Sequence, residues 1–144
     1  MPRRRHILAL ALLALLGGGA ARSDEGAFDV IVHPQNPVQV ADRDFLRDAY
    51  LKRVTDWGDG ETIRPVDLTT SYPARLRFTH EVLRKTFAQL RSYWNQQIFS
   101  GKGVPPAEAE TIADAIAYVL AHRGAVAYVP VGTDPGGAKI IKVR

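Results

Sequence analysis

Short β-branched runs and helical stripes alternate along this chain. Phe28 to His33 is a run of apolar and β-branched residues stopped by Pro34 and Pro37, which predicts a buried first strand. Asp42 is placed to cap a helix, and Phe45, Leu46, Ala49 and Tyr50 follow at helical spacing, predicting a helix over about 43–51. Asp56 to Gly60 reads as a turn, and Thr62 to Leu68 as a second strand. Pro73 suits a first helical position, so a helix is expected over about 74–87, with Leu76, Val82, Leu83 and Phe87 inward and Arg75, Arg77, Arg84 and Lys85 outward. A further helix is expected over 88–99, carrying Leu90, Tyr93, Trp94 and Ile98, and ends at Gly101 with Pro105 and Pro106 beyond. A helix over about 107–122 and strands over 125–129 and 139–143 complete the pattern. The order β-α-β-α-α-α-β-β predicts an α/β fold with a short mixed sheet flanked by helices.

The N-terminus follows a different pattern. Arg3, Arg4 and Arg5 precede ten apolar residues, 7–16, and Gly17 to Ala21 follow, which is the anatomy of a secretory signal peptide over residues 1–21. Ten residues at about 1.5 Å each span roughly half of a 30 Å hydrocarbon core, so no membrane span is expected. The remainder, 22–144, reads as one exported, periplasmic or secreted domain. Processing would remove three arginines from a formal charge of +4, leaving +1, so the basic balance gives no argument for a nucleic-acid partner. The absence of cysteine excludes disulfides and thiolate metal sites.

Catalytic chemistry is hard to place on these residues. His33, His80 and His122 fall in different elements without metal-ligand spacing, and Ser71 and Ser100 lack a nucleophile-elbow context. No enzyme and no cofactor is expected. Glu108, Glu110 and Asp114 read as acids complementing a helix dipole. Trp57, Tyr93, Trp94 and Phe99 read as core aromatics, with a stacking surface as the alternative. The suggestive place is Thr69, Thr70, Ser71 and Arg75, where hydroxyls and main-chain N–H groups meet a helix start and an arginine lies one turn further in. A helix start suits a phosphate or carboxylate, and a guanidinium adds a bidentate contact. The same residues also read as a plain helix cap with Arg75 pointing to solvent. Gly101-Lys102-Gly103 is a weaker anion candidate.

Taken in order, several segments resemble the periplasmic phosphate-binding proteins, the substrate-binding components of phosphate ABC transporters. They are Val30 to Pro37; Tyr50 to Arg53, with Trp57 and Gly60; Ile63 to Asp67; Arg75 to Phe78; Tyr93 to Asn95; Phe99 to Gly103 with Pro105 and Pro106; and Gly124 to Val129. That family builds two-lobed clamshells closing on an oxyanion. The resemblance implies a single lobe of a type II periplasmic-binding-protein-like fold, with phosphate or a similar oxyanion as ligand and a transporter or another envelope protein as partner. Departures accompany it. The family's Ser-Gly-Thr-Arg-like loop is here Thr69 to Arg75, with no glycine, and Lys52 and Ala127 stand where glycine is frequent. A repurposed lobe that binds an envelope protein and no small ligand is the second reading.

Overall fold

The computed structural model describes residues 24–144, so the signal peptide read over 1–21 and the domain start at residue 22 lie outside the described residues. The element order is β1 (Phe28–Val32), β2 (Val40–Ala41), α1 (Arg43–Tyr50), β3 (Arg64–Leu68), α2 (Pro73–Glu81), α3 (Phe87–Phe99), β4 (Ala107–Ala109), α4 (Ile112–Ala121), β5 (Ala125–Pro130) and β6 (Lys139–Val143). The expected α/β fold with a mixed sheet is what forms: one six-stranded sheet in the order β2-β6-β1-β5-β3-β4. β1 runs antiparallel to both β5 and β6, while β3 is parallel to β4 and β5. The route β3 to β4 runs outward across the sheet, and β4 to β5 runs back past β3. Right-handed crossovers in opposite directions lie on opposite faces, which puts α2 and α3 on one side and α4 on the other.

Side chains alternate along β5, so Val126 and Tyr128 share one face and Ala125, Ala127 and Val129 the other. On the first face Phe78 of α2 stacks on Tyr128 with centroids 4.0 Å apart, and Tyr50 of α1 packs 4.6 Å from Phe78. The buried Tyr50 hydroxyl donates to Val66 O at 2.8 Å and Val126 O at 3.2 Å, joining α1 to β3 and β5. The turn before β3 docks on the one before β5. Trp57 Nε1 donates to Gly124 O at 3.0 Å, and a Cβ on Gly124 would sit 1.8 Å from Thr62 O, so only glycine fits there.

Four sequence expectations shift. The helix read over 74–87 ends at Glu81, because Arg84 takes a left-handed turn at φ 55° and the chain restarts at Thr86 with a capping box to Gln89. The interior of α2 is Ala74, Arg75, Phe78 and Thr79, while Leu76 is exposed; the buried ion pair of Arg75 with Asp67 sets this rotation. The helix read from 107 begins at Ile112, capped by Thr111, and residues 107–109 pair with β3 instead as β4. Val40–Ala41 forms a short strand the pattern does not announce, recruited by β6.

Candidate functional site

β3 ends at Leu68, and the next residues turn back into α2. Thr69 N donates to Ala109 O at 3.3 Å, and Tyr72 N closes a turn onto Thr69 O at 3.2 Å. Pro73 occupies the first turn of α2 as expected, but the N-cap is Tyr72, with no side-chain cap. Neither Thr70 nor Ser71 caps the helix. The Thr69 and Ser71 hydroxyls instead share a hydrogen bond of 2.8 Å, and the N–H groups of the exposed Thr70 and Ser71 have no acceptor among the described residues. Three of the four expected residues therefore come together on one loop.

Arg75 is placed differently from the expected outward position. It is buried, and Nη1 donates to Leu68 O at 2.6 Å and to Glu108 Oε2 at 3.3 Å. Its Nε lies 3.6 Å from Asp67 Oδ1 without a hydrogen-bond partner, and its guanidinium lies over the Phe87 ring, 5.8 Å from the centroid. Nη2 makes no hydrogen bond to a described residue. Asp67 also accepts from the Tyr128 hydroxyl at 2.7 Å, and that hydroxyl accepts from Leu68 N at 3.2 Å. Burial pushes the Asp67 carboxyl up to about 6; Arg75 and the Tyr128 hydrogen bond oppose the shift, and the Glu108 charge adds to it. Burial likewise raises the Tyr128 phenol, with the Asp67 charge beside it.

A groove of about 630 Å³ opens beside this cluster, with Thr70, Arg75, Arg91, Trp94, Pro106 and Glu108 among its walls. Sequence reasoning missed Asp67, Tyr128 and Glu108 as members of the cluster. A carboxylate between the apolar Val66 and Leu68 is the available signal for Asp67. Glu108, expected as a helix-dipole acid, stands instead on β4 and pairs with Arg75. The weaker candidate Gly101-Lys102-Gly103 is the loop ending α3, with Lys102 exposed.

The other candidates resolve individually. Trp94 is buried, Trp57 packs 5.5 Å from Phe45, and the Tyr93 hydroxyl donates to Leu51 O at 2.7 Å. Phe99 departs from the expected core role: it is 94% exposed. Among the described residues no cluster of His, Cys, Asp and Glu is arranged to hold a metal ion. No described helix is long and apolar enough to cross a membrane.

No protein-family model and no curated protein matches the chain. Solved structures do. A phosphate ABC transporter substrate-binding protein with bound phosphate from Clostridium perfringens aligns at TM-score 0.63 and 20% identity, over 83% of this chain and 46% of its own. An ABC-type phosphate transport receptor from Vibrio cholerae aligns at TM-score 0.64 and 20% identity, over 83% and 48%. PstS from Borrelia burgdorferi aligns at TM-score 0.60 and 11% identity, over 81% and 47%. The chain thus shares the type II periplasmic-binding fold of phosphate ABC transporter substrate-binding proteins, and spans about half the length of these relatives.

Proposed function

We propose that the chain is an exported, periplasmic solute-binding module holding a small oxyanion, phosphate first among them, at Thr69, Thr70, Ser71 and Arg75. The observation that carries this is the pair of exposed N–H groups at Thr70 and Ser71 that have no acceptor among the described residues, next to two hydroxyls at the start of α2. Such groups at the positive end of a helix dipole suit an anion. Arg75 Nη2 supplies one charge-assisted contact, while Nη1 holds the loop through Leu68 O. The function is binding and delivery to a transporter or envelope partner, with no chemical step. Phosphate and sulfate titrations followed by calorimetry and by the amide signals of Thr70 and Ser71 test it. Arg75→Ala is expected to weaken binding by about ten- to a hundredfold, since hydrogen bonds to charged groups contribute about 1.5–3 kcal/mol. Arg84→Ala, whose side chain pairs with Asp44 at 3.3 Å, is expected to leave binding unchanged. No amide shift at millimolar anion overturns the reading.

One observation favours the second reading, a lobe repurposed to bind an envelope protein. Asp67 and Glu108 together outweigh the single charge of Arg75, so the cluster is net negative when both are ionised. An oxyanion must displace Glu108 from Arg75 or approach Nη2 alone. Under this reading the titrations give no shift, and Glu108→Gln does not create one.

A further inference from the structure

We propose that the groove beside α3 is a self-association surface that seats the same face of a second copy about a two-fold axis. α3 is attached through a narrow stripe, with Leu90 and Trp94 its only buried residues. Past Trp94 the apolar side chains turn outward: Ile98 is 52% exposed, Phe99 94% and Val104 58%. Ile98 lines the groove directly, together with Pro105 and Pro106. A phenylalanine presented almost whole to water within such a cluster marks an interaction surface.

Charge complementarity selects the occupant. Arg91, on the α3 wall, has no ionic partner among the described residues. Glu110, just past β4 and two residues beyond the groove-lining Glu108, has a side chain with no partner among the described residues, its carbonyl alone accepting from the Tyr72 hydroxyl at 3.4 Å. In a two-fold contact residue i meets residue j and j meets i, so a free cation on α3 and a free anion just past β4 can form the same pair twice. The neighbouring sheet edge offers no competing mode. β4 has three residues, and Pro106 before it has no N–H to donate, so strand addition ends where it begins. Contact is through side chains.

Sedimentation equilibrium of the chain in phosphate-free buffer tests this independently of anion binding. A dimer at micromolar concentrations is expected. Phe99→Ser, at a position that folding does not use, is expected to weaken it by about thirtyfold or more, as for a central aromatic anchor. Arg91→Glu and Glu110→Arg are each expected to be weakened alone and to recover a dimer when mixed, because each then supplies the charge the other lacks. A parent that stays monomeric, a Phe99→Ser variant that dimerises as the parent does, or a mixture no tighter than its components overturns the proposal. Oxyanion binding that persists in a monomeric parent leaves the solute-binding reading standing alone.

Discussion

Asp67 and Arg75 cross the interior together, and neither is adequate alone. Arg75 neutralises a carboxylate that Tyr128 also holds, yet Asp67 remains raised to about 6 because burial outweighs both contacts. Removing the arginine strands a buried charge, a change that typically costs about 3–5 kcal/mol, so Arg75→Ala is read for folding as well as for binding. The raised carboxyl has a consequence of definite sign. Its ordinary value is 3.8, so the folded chain holds a proton between about 4 and 6 that the unfolded chain has released. The contribution of Asp67 to stability therefore grows as pH falls from about 6 to about 4 and is lost as pH rises through that window. Two pKa units correspond to on the order of 3 kcal/mol. Urea unfolding of the parent and of Asp67→Asn across this range isolates the contribution. The parent's stability relative to the variant is expected to climb towards low pH, and parallel curves would show that Asp67 is not the titrating group.

At the scale of elements, α1 and α3 end in the same motif with different residues. Arg53 N reaches back to Asp48 O at 2.8 Å and Lys52 N to Ala49 O at 3.1 Å, while Lys102 N reaches Gln97 O at 2.9 Å and Gly101 N reaches Ile98 O at 3.1 Å. The turning residue is left-handed in both, Lys52 at φ 55° and Gly101 at φ 70°. Only glycine adopts that conformation without penalty; a side chain there costs about 1–2 kcal/mol, partly offset by the greater chain entropy that glycine loses on folding. Lys52→Gly is thus expected to stabilise by about 0.5–1 kcal/mol, and Gly101→Ala to destabilise by about 1 kcal/mol, both read from denaturant midpoints. Local signals of this kind explain what was legible in the sequence. Gly101 announces the end of α3, Pro73 the start of α2, and the β-branched runs give β1, β3, β5 and β6. The break after α2 was not legible, because Arg84 takes a turn that its residue type does not advertise. Nor was β4: Ala107-Glu108-Ala109 is a strand only because β3 offers it a parallel partner. Thr69, Thr70 and Ser71 could be found from their place between a strand and Pro73, but the partners of Arg75 come from 8 residues before it and 33 after. Spacing along the chain carries no trace of a contact closed by tertiary structure.

At the scale of the whole molecule, the sheet is closed by its last strand. β6 lies between β2 and β1, pairing Ile141 with Val30 and Ile140 with Ile31 on one side and Lys142 with Val40 on the other. Beyond the ladder, Lys142 N donates to Gln39 O at 3.0 Å, Arg144 N to Ala41 O at 3.1 Å, and Arg43 N to Arg144 O at 2.9 Å. The entry into α1 thus depends on residues a hundred positions away. Ending the chain after Ala138 removes the buried Ile141, leaves β2 without its strand partner and turns β1 from an interior strand into an edge. Burying one isoleucine contributes about 1.5–3 kcal/mol, and the lost ladder adds to it, against a typical domain stability of about 5–15 kcal/mol. The truncated chain is expected to lose its cooperative thermal transition by far-ultraviolet circular dichroism. Arg144→Ala is the control: its bond to Asp42 is exposed, and its removal is expected to leave the transition almost unmoved. A truncated chain that melts with the parent would mean that β1, β5 and β3 with their helices form the folding unit by themselves, with β6 and β2 an appended layer.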